Sequence, residues 1–410
     1  MTSGVVVGSM EYRGNVAFRE YCDDLFSTLY RADQRRAGEG YLHGLLNCPG
    51  RKSVRRLAAA LADRSEQSLQ QFINHSPWNP EPLRRRLLSM ASDLLRPTAW
   101  VLQEVAFPKH GRYSAAVERQ YVRSMGKVSN CQLAVAVTLT DERHSVPVNW
   151  RLTVPESWGI DPHRRSRARM PEHELPRPYW QYQIEMLDDM ALEWGVPNIP
   201  VVVDARHRGI VEALLSALEL RRQPYLAQVS PGLSVCCGRE LAGGRVMPGR
   251  VSGQDQWVGP VGELIQRVGG LRRETVQWRD AEHGRTLRSQ FLRLPLRGGR
   301  GPGPSDRRLL LCDWPLGQPS PRGVWLTDLV ERPLAELVSL AKLADQATVR
   351  MEHFSSRYGL RDYEGRTFAG WHHHVTLSTA AYVYDLLGSV QAGSLQTGMA
   401  PEVVAQRRSA

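Results

Sequence analysis

VLQEVAFPKHG, residues 101–111, decides how the chain is read. An apolar run, Ala99-Trp100-Val101-Leu102, gives way to Gln103 and Glu104, and Phe107, Lys109 and Gly111 follow. The pattern predicts a buried strand whose end delivers polar side chains to a site. A carboxylate at Gln103 would hold a metal ion. An amide hardly can, because it offers one carbonyl oxygen and no charge.

Outward from this strand, the spacing of apolar residues divides the chain. Toward the N-terminus, residues 16–95 carry apolar residues at helical intervals in YCDDLFSTLYRA, RRLAAALADR and LQQFINH. In SPWNPEPLRRRLLSMASDLL, prolines sit near a helix start and Leu83, Leu87, Leu88 and Leu94 line one face. Residues 98–154 switch to short β-branched runs separated by turn signals, TAWVLQEVAF, CQLAVAVTLT and VPVNWRLTV, which predict a three-stranded meander. A helix follows at 179–195, ended by Gly195, then a fully buried strand, IPVVVD, ending on Asp204. IVEALLSALEL predicts a helix and PYLAQVS a strand. This order implies a mixed α/β layer architecture. Residues 228–315 read as irregular and rich in Gly and Arg, with strand candidates in TVQWRDAEHGRTLRSQFLRLPL and RRLLLCDWPL and a flexible loop at 296–308. Helices return at 329–354 and in the stretch that contains WHHHV.

The expected domains are a tail at 1–20, a helical domain at 21–96, a main domain at 97–388 with its irregular insertion at about 228–325, and a disordered tail at 389–410. The chain has 410 residues, 42% of them hydrophobic, enough for a large core. Its net charge of +11 favours a polyanionic partner, nucleic acid first. Codon bias toward arginine is the plainer account, since only four of the 53 basic residues are lysines. Six cysteines show no framework spacing and read as reduced. The first 15 residues lack the pattern of a signal peptide, and no apolar run reaches the ~20 residues of a membrane span. The expected location is therefore cytoplasmic and nucleoid-associated.

Three constellations invite chemistry. Asp204 ends a buried strand beside Arg206 and His207 and ahead of Gly209, where ligand sites gather in α/β sheets. Capping of the next helix is its structural alternative. In WHHHV, residues 371–375, adjacent histidines on a helix diverge by about 100°, so the three cannot share one ion. Packing, or phosphate contact by His372 and His373, suits them better. RYSAAVERQYVRSMGKVSNCQ, residues 112–132, suits a strand-loop-strand ribbon presenting Arg119, Arg123 and Lys127 to one side. Phosphate contact and a plain solvated hairpin are both open for it.

The order of these pieces resembles the DDE transposases of bacterial insertion sequences, the DDE superfamily endonuclease group. The resemblance spans roughly residues 25–390. It rests on YLHGLLNCPGRKSVRRLA and LQQFINHSPWN, on FPKHG, RQYVRSMGKVSNCQLAV and WRLTVPESWGIDPHRR, and on YGLRDYEGRTFAGWHHHVTLSTAAY. All four lysines, Lys52, Lys109, Lys127 and Lys342, fall inside matching blocks. The resemblance implies an RNase H-like mixed sheet flanked by helices. It also implies a site where Asp, Asp and Glu hold two Mg²⁺ or Mn²⁺ ions about 4 Å apart for phosphodiester cleavage. Double-stranded DNA is the implied partner, through Lys109, Arg119, Arg123, Lys127, Arg366, His372 and His373. A homodimer is left open, and no membrane is expected.

The acid positions depart from that pattern. Where the family has Asp-Glu-Thr-Gly-Phe, this chain has Gln103-Glu104-Val105-Ala106-Phe107, so the first, bridging Asp falls on Gln103. Glu104 faces the other side of a strand and cannot simply substitute. The second acid matches at Asp204. Anchored on Leu340–Leu343 and on Gly359-Leu360, the third falls on Thr348, with Ala344 and Asp345 in place of an arginine-tryptophan pair. Glu352, one helical turn on, is a candidate displaced acid. Four readings follow: a transposase-like DNA-binding protein that has lost cleavage and strand transfer and serves as a regulator; an active transposase with a rearranged site on Asp204, Glu352 and Glu104; a decaying product without function; and a pocket recruited for a small molecule or a protein partner. On the first, no metal cofactor is expected; on the second, Mg²⁺ or Mn²⁺.

Overall fold

The computed structural model describes residues 16–61, 65–206, 211–238, 256–268, 273–279, 285–297, 307–315, 317–318 and 320–397. His207, Gly209, the Gly-rich run at 298–303 and both chain ends lie outside them. Five helices come first: α1 (Val16–Leu25), α2 (Ala32–Asn47), α3 (Val54–Ala59), α4 (Glu66–Asn74) and α5 (Glu81–Leu94). Four strands follow: β1 (Ala99–Pro108), β2 (Glu118–Val122), β3 (Lys127–Thr140) and β4 (Ser145–Leu152). Next are α6 (Glu156–Gly159), α7 (Pro162–Arg167), α8 (Tyr179–Glu193), β5 (Val201–Asp204), α9 (Val211–Leu220) and β6 (Tyr225–Gln228). Then come β7 (Ser234–Gly238), β8 (Gln256–Pro260), α10 (Val261–Val268), β9 (Arg273–Arg279), β10 (Thr286–Arg297), β11 (Arg307–Trp314) and β12 (Gly323–Thr327). Two long helices close the described chain, α11 (Leu334–Arg357) and α12 (Phe368–Thr397).

The meander and the two later strands make one mixed layer. β3 pairs antiparallel with both β1 and β4, while β1, β5 and β6 run parallel. Parallel strands are covered on both faces, which is why VVV in β5 is wholly apolar. The pleat sorts β1 by alternation. Ala99 and Val101 join Val202, Leu226 and the apolar stripe of α11, whereas Trp100 and Leu102 face the main core with Tyr182, Leu215 and Val201. Each buried leucine of the α11 stripe (Leu334, Leu337, Leu340, Leu343) contributes about 1.5–3 kcal/mol to holding that helix over the sheet. A mixed sheet flanked by helices is the architecture expected from sequence.

Two features differ in detail from that expectation. Composition suggests an irregular segment after residue 228, yet its described residues form β7–β11 and extend the same sheet to twelve strands. Alternating apolar residues such as Leu292, Leu294 and Leu296 on β10 outweigh the Gly and Arg content between strands. The helical segment is also not a separate packing unit. Phe18, Tyr41, Leu45 and Leu87 share one apolar core with Trp150, Trp371 and Leu377. Accordingly α1 starts at Val16, inside the stretch expected as a tail, and α12 continues to Thr397.

Candidate functional site: an arginine-latched acid pocket

The polar pair that opens the problem sits in the middle of β1, not at its end. In the parallel ladder Leu102 pairs with Val203, so the next step sets Gln103 level with Asp204 on the face covered by α11. On that helix Asp345, Thr348 and Glu352 recur at intervals that share one face. All five residues border one cavity of about 260 Å³, together with Glu104, Arg123, Arg206 and Arg361. Tertiary structure therefore brings together the first, second and third acid positions inferred from sequence.

Their chemistry is not that of free carboxylates. Gln103 Oε1 accepts a hydrogen bond from Thr138 Oγ1 at 3.0 Å, across the β1–β3 pair. Thr348 Oγ1 donates back to its own helix at Ala344 O, 3.1 Å. Asp204 Oδ1 accepts from Arg206 Nε and from the Arg206 backbone N–H, both at 3.1 Å. Asp204 Oδ2 lies 2.8 Å from Arg206 Nη2 and 2.5 Å from Arg123 Nη2. Burial alone would raise the Asp204 carboxyl, but Arg206 and Arg123 outweigh it and hold the group below its usual range. Glu352 is gripped bidentately by Arg361, at 2.6 Å on each oxygen, and Arg361 also lowers its carboxyl pKa. Arg361 Nε donates to Ala106 O at 3.0 Å, tying α11 to β1.

This donor set does not fit a two-metal centre. A hard divalent ion wants several anionic oxygens, and here one position is an amide, one is a hydroxyl turned to its helix, and of the four carboxylates on the cavity Asp204 and Glu352 are engaged by three guanidiniums and Asp345 lies 3.6 Å from Arg322. Among the described residues no group of three or more His, Cys, Asp or Glu side chains is arranged to hold an ion.

The residues assigned to nucleic acid divide into two groups. Arg119, Lys127 and Arg366 are exposed. Arg123 leaves the ribbon's outer side: the tight turn of residues 123–125, closed by Gly126 at φ 63°, sends it inward to Asp204. Lys109 reaches the Tyr363 carbonyl and lies 5.4 Å from the Tyr363 ring, and burial pushes its pKa down to about 8. His372 and His373 face the interior, 9% and 1% exposed. His373 lies within hydrogen-bond distance of Ile73 O (2.9 Å) and Trp78 O (2.8 Å) and stacks on Trp78. His374 takes Tyr41 Oη and Gly359 O, both at 2.9 Å. The WHHH block thus joins α12 to the N-terminal helices. Arg84 on α5 completes this join, donating to Thr376 Oγ1, Asn149 Oδ1 and Trp150 O and lying 3.0 Å from His372 Nδ1.

Sequence reasoning missed Arg361, which carried no signal beyond lying in a matching block, and Thr138, which reads as an ordinary strand residue. It also saw Arg123 only as a phosphate contact. An acid at the end of a buried strand with an arginine two residues on, as in Asp204-Ala205-Arg206, was the one local clue that a carboxylate here would be paired.

Comparison with known proteins gives the family. The family model described as "DDE superfamily endonuclease" matches residues 24–285, a span that includes Gln103 and Asp204 and stops before α11. A protein of Microchaete diplosiphon described as "Probable transposase for insertion sequence element IS701" is 31% identical over 121 residues, covering 29% of this chain and 32% of that relative. No helix among the described residues is long and apolar enough to cross a membrane. With the match covering more than half of the chain, and an RNase H-like mixed sheet flanked by helices, the chain belongs to the DDE superfamily endonuclease family.

Proposed function

We propose that this chain is a transposase-like DNA-binding protein that has lost phosphodiester cleavage and strand transfer, and that it acts as a regulator on DNA. One observation carries the reading: at the level where two carboxylates would share a bridging ion, Gln103 stands beside an Asp204 already bonded by Arg206 and Arg123. Metal charge supplies several kcal/mol of transition-state stabilisation in such sites, so losing the bridging ligand removes several powers of ten in rate. Binding rests on backbone contacts and survives that loss. Exposed Arg119, Lys127 and Arg366, and the net charge of +11, supply the attraction. A second reading, an active transposase with a rearranged site, draws on Glu104, Asp204, Asp345 and Glu352 bordering one cavity. The test is Mg²⁺- or Mn²⁺-dependent cleavage of DNA carrying the flanks of the chain's own gene, with Asp204→Ala as control. Salt-sensitive binding without cleavage supports loss of chemistry. Cleavage abolished by Asp204→Ala establishes the rearranged site instead.

A further inference from the structure

None of the residues of a second basic cluster borders the acid cavity. We propose that Arg112, Tyr113, Arg167 and Arg366 form a preorganised anchor for the phosphate backbone of duplex DNA, an assignment that rests on the DNA-binding reading above and gives it a surface.

Three separate segments build the cluster: the loop between β1 and β2, the end of α7, and the approach to α12. The Arg112 guanidinium carbon lies 5.3 Å from the Tyr113 ring centroid, and Nη2 donates to the Tyr113 hydroxyl at 3.2 Å. The Arg167 guanidinium carbon lies 4.3 Å from the same centroid. Arg112 first, then Arg167 and Arg366, pull the Tyr113 phenol below its usual pKa, in keeping with the two ring contacts and with the Arg366 backbone held beside this loop. All three arginines are exposed, and among the described residues none is ion-paired with a carboxylate. Glu364, two residues before Arg366, is taken by Arg51 at 3.0 Å.

Backbone bonds hold the segments in place. Ala115 N–H donates to Arg366 O at 2.9 Å, and Phe368 N–H donates to Ala168 O at 2.8 Å. Two of the three non-glycine residues with positive φ among the described residues flank the cluster, Ala116 at 58° and Arg169 at 50°. Such backbone persists only where its surroundings enforce it, and it gathers at sites with a job. Like charges gathered without an acid repel one another until an anion arrives. Planar guanidiniums match phosphate bidentately, and a tyrosine hydroxyl is a usual phosphate donor.

The experiment is fluorescence anisotropy of the full chain with a labelled duplex carrying the flanks of its gene, across a NaCl series. The combined Arg112→Gln, Arg167→Gln and Arg366→Gln variant is compared with a charge-matched control, Arg31→Gln, Arg221→Gln and Arg332→Gln. Loss of about tenfold or more in affinity, with the log Kd–log salt slope reduced by about 2–3 relative to the control, is expected. If the triple variant does not fold, Arg167→Gln alone should reduce the slope by about 1. Equal weakening by test and control variants overturns the anchor and leaves DNA binding intact. Wild-type protein that shows no salt-sensitive binding overturns both. A duplex RNA bound more tightly, with the same sensitivity to the variants, overturns DNA as the partner.

Discussion

Arg123, on the turn between β2 and β3, places Nη2 2.5 Å from Asp204 Oδ2 at the end of β5, so the turn of a hairpin whose role the sequence left open closes over Asp204. Arg206 shares the same carboxylate oxygen at 2.8 Å. The pair of arginines neutralises the one acid that the sequence pattern preserves.

Removing this latch should change how Asp204 titrates. In an Arg123→Ala, Arg206→Ala variant burial and the backbone N–H of residue 206 remain, and the Asp204 carboxyl pKa should rise from its depressed value. A depressed carboxyl stabilises the fold above its unfolded pKa, and that stability is lost as pH falls through the folded value, below about 3.9. Asp204 is 38% exposed, so the effect on stability should stay under about 1 kcal/mol. Carboxyl ¹³C NMR titration reads the shift directly, and an unmoved Asp204 would show that the latch is not what holds it.

Restoring acids should restore a cation site. Gln103→Asp with Thr348→Glu, in the Arg123→Ala and Arg361→Ala background, puts carboxylates beside Asp204 and on the α11 face with the competing guanidiniums gone. Mn²⁺ binding by calorimetry should tighten by about tenfold or more over the parent chain. Unchanged binding would mean that the acid positions do not converge as the β1–β5 ladder implies.

Buried histidines predict acid sensitivity. Burial pushes His373 and His374 down to about 4 from 6.5, and lowers His372 as well. The unfolded chain therefore takes up more protons between pH 6.5 and 4, and stability should fall as pH drops through that window. His373 and His374 each account for about 3 kcal/mol of that loss. Urea unfolding at neutral and mildly acidic pH tests this. His374→Gln should show a shallower acid slope, and a flat profile in the native chain would contradict the burial of these rings.

Close packing around α12 predicts a sharp steric effect. A Cβ at Gly370 would collide with Tyr363 Oη and come within 2.7 Å of Thr367 Oγ1. Tyr363 Oη donates to Asn74 Oδ1 at 2.7 Å, so the collision would also break a bond between α4 and the approach to α12. Gly370→Ala should destabilise the fold by about 3 kcal/mol. Thermal melting checks it, and a wild-type Tm would show that the helix shifts freely.

Local pattern reached far into this fold. Period-two runs placed β1, β3 and β4, the apolar VVV placed β5, and Gly195, at φ 64°, marked the end of α8. Candidate positions on β1, β5 and α11 were legible only through the resemblance, and the structure sets Gln103, Asp204 and Thr348 around one cavity. The partners of the acids there were not legible. Arg123 comes to Asp204 from the β2–β3 turn, and Arg361, beside Glu352, also reaches the Ala106 carbonyl across 255 residues. No local periodicity encodes such distances. For WHHH the sequence left packing and phosphate contact open, and only the packing of α12 against Trp78, Tyr41 and Gly359 made it a structural join. What the sequence alone determined was the mixed sheet and the presence of an amide rather than a carboxylate at residue 103, since both depend on residue type and spacing. That arginines occupy the acids which remain was decided by tertiary structure, because an ion pair is chosen by proximity in space, and proximity here comes from the closing of the whole sheet.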